Sequence, residues 1–281
     1  MKMRPRFRVS AARQSRRAKP LAVTLALVLA LSGFMPASGA ADHTYTYLAL
    51  GDSIPFGAFA PIGRGYVPLY AKAVINDTGR WVNTVNLSVP GWTSQDLLFA
   101  VTSRPLFRLT AFSSNIITFS TGGPELAAAR QFYKDRTCGG PDNEDCMRAA
   151  VAALESNWEG ILGALAALRH GRRTTMRTTE IYNPFVNVDK ASDSWPVGGD
   201  GISDFDELKP YLDEVNAYIN AASVSHGVLV APVYQAFNGP AGDEDPGDKD
   251  LLAFDDYHPN GRAHALIASL LRDLGYATVT P

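Results

Sequence analysis

The chain has 281 residues, 46% of them hydrophobic and 19% charged, with a formal net charge of −2. Eight of its 26 Lys and Arg residues, and none of its 28 acidic residues, fall within the first forty positions. Positions 41–281 therefore carry 18 basic against 28 acidic residues, a formal charge of −10, which argues against nucleic acid or an anionic membrane as a partner.

The N-terminal region is read first. Lys2, Arg4, Arg6, Arg8, Arg13, Arg16, Arg17 and Lys19 precede an apolar run at 21–35, then Ala37, Ser38, Gly39, Ala40 and Ala41. The run is too short to span a bilayer comfortably, which disfavours the alternative of an uncleaved anchor. This order predicts a secretory signal peptide over 1–40, cut after Ala40 or Ala41, and a secreted product with no stable membrane insertion. Arg16-Arg17 after Ser15 resembles a twin-arginine export signal but lacks the bulky hydrophobic residue expected after the pair. No cysteine lies near the cut, so a lipoprotein anchor is not indicated. Residues 41–281 suffice for one domain with a full core, whereas two would be small.

Short β-rich runs then alternate with longer helical ones. A strand at 44–50 stops at Gly51. A helix at 66–76 places Tyr66, Leu69, Tyr70 and Ala73 on one face and closes near Gly79. A second strand at 82–87 runs into Ser88-Val89-Pro90-Gly91, a helix covers 94–102, and a third strand, largely apolar, covers 116–120. Helical segments are predicted at 125–133 and 145–168.

The only cysteines are Cys138, between these two helical segments, and Cys146, at the start of the second. In an exported chain a close pair in a Gly/Pro/Asp loop predicts a disulfide; zinc is the rival, but no histidine pair stands nearby. A fourth strand is predicted at 178–182, ending at Asn183-Pro184, and a polar loop at 189–203. Ser203 caps a helix running to about 224, with Asp206 three residues on. A fifth strand covers 228–233, and Pro259 opens a last helix. Five strands alternating with helices predict a single-domain α/β three-layer sandwich around a mainly parallel five-stranded sheet.

In such a sheet ligands bind at the carboxyl ends of the strands. Ser53, Gly91 and the run Thr121-Gly122-Gly123-Pro124 all follow predicted strands at that edge. A serine hydroxyl needs a base within hydrogen-bond reach, and an imidazole base benefits from a carboxylate that fixes its tautomer. Asp255 and His258, three apart at a loop-to-helix junction, can lie on one turn. Alone, Gly51-Asp52-Ser53 would read as a turn and Asp255-x-x-His258-Pro259 as a helix start. Together in one α/β chain they read as a catalytic pairing.

Four segments carry a family resemblance: LALGDSIPFG at 48–57, LSVPGWTSQDLL at 87–98, ITFSTGGPEL at 117–126 and FDDYHPNG at 254–261. Spread over nearly all of 41–281, they resemble the SGNH hydrolases, or GDSL esterase/lipase family, whose fold is flavodoxin-like. The resemblance implies catalytic residues Ser53, Asp255 and His258. It also implies an oxyanion hole built from the Ser53 and Gly91 N–H groups and an asparagine side chain. At the asparagine position this chain has Pro124, followed by Glu125 where the family has aspartate. Proline offers neither an amide side chain nor a backbone N–H. Gly-x-Ser-x-Gly is absent around Ser53, which argues against the α/β-hydrolase fold.

Three readings of Pro124 stand open. They are a slow hydrolase relying on Ser53 and Gly91, a substitute donor with Asn183 or Asn115 as candidates, and a catalytically silent extracellular binding protein. The leading expectation is a secreted carboxylic ester hydrolase acting through an acyl-enzyme on Ser53. Its substrate would be a small-molecule, lipid or carbohydrate ester, with no cofactor and no metal; oligomeric state is not legible. Asp243, Asp245, Asp248 and Asp250 cluster in a loop, but Gly247 and Phe254 stand where an EF-hand needs ligands. His43, His170, His226 and His264 read as structural or exposed. Trp92 reads equally as a wall of the acyl pocket or as core.

Overall fold

The computed structural model describes residues 44–278; the expected signal segment and its cleavage point lie outside the described residues. Five strands form one parallel sheet in the order β2-β1-β3-β4-β5. They are β1 Thr44–Gly51, β2 Trp81–Asn86, β3 Ile116–Ser120, β4 Thr175–Thr179 and β5 Leu229–Ala231. The expected mainly parallel sheet is thus wholly parallel. Along β1, Tyr47 and Ala49 face one core, Leu48 and Leu50 the other, and all four are fully buried. Burial on both faces explains why the strand reads as a nearly continuous apolar run.

One face carries α2 Tyr66–Thr78 and α10 Gly261–Asp273, which bury Tyr70, Val74, Ile267 and Leu271 with Tyr47 and Ile116. The other carries α3 Ser94–Ser103, α4 Pro105–Ser113, α5 Gly123–Lys134, α6 Asp145–Leu168 and α8 Asp204–Ser225. Its centre is Trp158 of α6, whose ring lies 5.2 Å from Phe119 and whose indole N–H donates to Ser223 Oγ at 3.1 Å. The cysteines form the expected disulfide, which closes the α5–α6 connection. Among the described residues no helix is long and apolar enough to cross a membrane.

The strand order positions the site. The chain steps from β1 outward to β2, then crosses back past β1 to β3. This reversal opens a crevice between the carboxyl ends of β1 and β3. There Gly51 pairs with Ser120, and the chain leaves β1 through the one-turn helix α1 Ser53–Phe56.

Several boundaries differ from expectation. β4 lies three residues earlier than predicted because Arg177, which reads as surface, is buried. Its guanidinium donates to the carbonyls of Met176, Gly275 and Ala277. The fifth strand is shorter than predicted, and residue 233 already opens α9 Val233–Asn238. The last helix begins at Gly261 rather than Pro259, since the Asn260 side chain caps it by accepting from the N–H groups of Arg262 and Ala263. Helices α1, α4, α9 and α7 Val186–Lys190 are too short, or too plainly begun, to show a period in sequence.

Candidate active site

Local chemistry fixes Ser53. Asp52 caps α1, its Oδ1 accepting from the Ile54 N–H at 2.9 Å, and Gly57 ends that turn in the left-handed region at φ 85°. The serine hydroxyl therefore sits at the start of a helix, at the edge of the crevice. His258 lies in the connection before α10, its carbonyl accepting from Ala253 N at 2.8 Å. Asn260 Nδ2 donates to the carbonyls of Asp250 and Leu252, tying this connection to the preceding loop.

These elements bring the three sequence-predicted residues into one chain of contacts. His258 Nε2 is 2.9 Å from Ser53 Oγ, and His258 Nδ1 is 2.5 Å from Asp255 Oδ2. Asp255 Oδ1 also accepts from the backbone N–H groups of Tyr257 and His258 at 3.3 and 3.1 Å. Burial works to raise the Asp255 pKa, but the His258 bonds and the Tyr257 N–H hold it below the ordinary carboxylate value. A carboxylate so held stays ionised and keeps the imidazole proton on Nδ1, leaving Nε2 to accept from serine.

Gly91 stands on the turn after β2, at φ 81°, and Val89 N donates to Gly51 O at 2.9 Å, securing that turn to the end of β1. The N–H groups of Ser53 and Gly91 are bonded to no described protein group. Pro124 sits in the first turn of α5, and Glu125 reaches across to accept from Ser94 N at 2.8 Å. Asn115 is remote, at the amino end of β3, where its Oδ1 accepts from Thr46 N at 2.9 Å. Asn183 borders the crevice, but its Oδ1 is engaged by Phe185 N at 2.8 Å.

Beside Ser53 the crevice deepens into a largely apolar cavity walled by Leu126, Ile181, Phe185, Phe205, Leu208 and Leu212. Arg130 and Lys134 of α5 bind Asp189, and Lys134 also binds Asp204, which ties α5 to α7 and α8 around the cavity. Trp92 does not wall the cavity; it stacks on Phe107 at 5.5 Å under the Arg104 guanidinium. Asp245 of the acidic loop accepts from Asn187 N at 2.8 Å and so anchors α7. His264 is buried and its pKa lowered to about 4 by that burial, whereas His226 meets Glu159 at 2.8 Å.

Three neighbours of the triad escape sequence reading. Phe59 stacks on His258 at 4.8 Å while holding φ 60°, a backbone state rare for a bulky residue. Tyr257, which in sequence is only a spacer between Asp255 and His258, borders the cavity. Asp52 is buried, and burial pushes its carboxyl from 3.8 up to about 7, with Glu125 adding to the rise. A carboxyl raised on folding contributes stability that is full below the unfolded value and lost as pH rises through the folded one. Asp52→Asn keeps the capping oxygen and cannot ionise. Calorimetry from pH 4 to 8 should show the wild-type melting temperature falling more steeply than the variant's; equal slopes would mean Asp52 titrates normally.

The serine, histidine and carboxylate are thus joined by hydrogen bonds where the strand order of a doubly wound α/β sheet reverses. The chain belongs to the GDSL-like lipase/acylhydrolase family, whose model matches residues 49–266. Among solved structures it is similar to a lipase from a goat rumen metagenome, with 21% identity, TM-score 0.67, and 83% of this chain and 98% of that one covered. It is also similar to an acetyl-xylooligosaccharide esterase variant from Geobacillus stearothermophilus, with 15% identity, TM-score 0.56 and coverage of 83% and 94%. A lipase/acylhydrolase from Enterococcus faecalis follows at 15% identity, TM-score 0.52 and coverage of 84% and 98%. At these identities the likeness shows the fold. No curated protein matches the chain.

Proposed function

We propose that this protein is an exported serine hydrolase that cleaves carboxylic esters through an acyl-enzyme. The observation that carries this reading is the hydrogen-bonded series Asp255–His258–Ser53 opening onto an apolar cavity. Ser53 Oγ attacks the ester carbonyl while His258 Nε2 takes its proton. The resulting oxyanion meets the Ser53 and Gly91 N–H groups, and collapse expels the alcohol, which leaves with the proton from His258. Water then attacks the acyl-enzyme by the same route, releasing the acid and free Ser53. Asp255 holds the imidazole in orientation throughout and stabilises its cation.

The cavity walls favour an aliphatic acyl chain over acetyl, since each methylene taken from water into such a pocket contributes about 0.8 kcal/mol. Across a p-nitrophenyl ester panel, kcat/KM should rise roughly fourfold per methylene until the cavity is full. A panel peaking at acetate would reject this assignment of the cavity. No turnover of any ester, with no fluorophosphonate adduct on Ser53, would overturn the hydrolase reading in favour of a silent binding protein.

A further inference from the structure

Pro124 leaves the oxyanion with two backbone donors, and the structure shows what stands near the vacant third position. A Cβ built on Gly123, the residue before Pro124, would lie 3.7 Å from the Tyr257 hydroxyl and 4.0 Å from Asp52 Oδ2. That hydroxyl thus approaches the start of α5, on the wall that the cavity shares with Ser53 and Pro124. We propose that the Tyr257 hydroxyl is a catalytic residue that supplies the oxyanion donor Pro124 cannot, an inference that rests on the hydrolase reading above.

Four observations support it. First, the hydroxyl bonds to no described protein group, so it is free to donate to a bound oxygen, and Tyr257 borders the cavity. Second, the ring is already held in place, as an effective oxyanion donor must be. It stacks on Phe185 at 5.6 Å and meets His258 edge-on at 4.7 Å. The residue's carbonyl accepts from the Tyr182 hydroxyl at 2.7 Å. Third, burial and the nearby Asp52 and Glu125 carboxylates raise the phenol pKa, so it remains a protonated donor throughout the working range.

Fourth, one rival is out of reach: Asn115 lies at the opposite end of β3. Asn183 borders the cavity with its carboxamide oxygen on the Phe185 N–H, and a larger kcat loss in Asn183→Ala than in Tyr257→Phe would overturn the proposal. Thr121 has a hydroxyl without a partner, but that oxygen is buried from solvent.

The test compares wild type, Ser53→Ala, Tyr257→Phe, Pro124→Asn, Tyr257→Phe with Pro124→Asn, Thr121→Val and Asn183→Ala, on p-nitrophenyl esters of increasing chain length. Tyr257→Phe keeps the ring and its stacking, so thermal unfolding checks that the fold survives. Its kcat should fall about 100-fold with KM changed less than about threefold, the pattern of an interaction made only in the transition state. Pro124→Asn should restore at least about tenfold in the Tyr257→Phe background and gain less in wild type, because the two donors serve one oxygen.

A Tyr257→Phe enzyme with wild-type kcat, a loss confined to KM, or a larger kcat loss in Thr121→Val would each overturn the proposal. If wild type turns over and Ser53→Ala does not, those outcomes reject Tyr257 alone. If wild type never turns over, the hydrolase reading fails and this inference falls with it.

Discussion

Ser53→Ala should lower kcat by on the order of 10⁶-fold while leaving the protein folded. The Ser53 hydroxyl has one side-chain partner, His258, so its loss removes the nucleophile without exposing core. His258→Ala should cost about as much, and the double variant little more, because nucleophile and base act as one unit. Asp255→Ala should cost less, roughly 10⁴-fold, since the serine–imidazole pair survives without its orienting carboxylate. Steady-state ester hydrolysis, with intact-mass detection of a fluorophosphonate adduct on Ser53, measures all three. A Ser53→Ala enzyme retaining activity within tenfold of wild type would place the nucleophile elsewhere.

Gly51→Ala should damage the fold itself. Its added Cβ would lie 1.8 Å from the Ser120 carbonyl oxygen and 2.9 Å from the Ser120 carbonyl carbon, both backbone atoms of the neighbouring strand. The same carbonyl accepts from Asp52 N at 3.3 Å, so it cannot swing away without releasing the residue that caps α1. The backbone at φ 127° adds strain that only glycine escapes. The expected loss exceeds about 4 kcal/mol, a large share of ordinary domain stability. Gly91→Ala is the control: it shares a positive φ, but its Cβ meets nothing within 4 Å. It should cost only about 1–2 kcal/mol in urea unfolding. Equal losses at the two positions would show that conformation, not strand contact, requires Gly51.

Much of this is legible in the chain because β1, β2 and β3 end where glycine-bearing turns begin, and each such end carries a residue of the site. Ser53 and His258 can be paired because Gly51-Asp52-Ser53, at a strand end, and Asp255-x-x-His258 occur together in one α/β chain. The true span of β4 is hidden because its interior holds Arg177, whose charge conceals a buried strand; its guanidinium donates to the carbonyl of Met176 and to those of Gly275 and Ala277 beyond α10. Tyr257 was invisible as a functional residue because its meaning depends on Gly123, 134 positions away in sequence and adjacent only after folding. Phe59 was hidden for another reason. Nothing in its neighbours demands left-handed backbone, and its ring acquires a partner only when the α10 connection docks. The cavity is likewise assembled from α5, α7, α8 and the loop after β4, no one of which is a pocket by itself.

The separation of Ser53 from His258, 205 residues, also governs when the proposed site can assemble. The serine directly follows the first strand made, and the histidine stands in the connection before the last helix. A ribosome therefore makes all five strands before it reaches His258. On the proposed mechanism, a chain cut short of His258 lacks its base, and hydrolysis would be a sign that both ends of the polypeptide have met.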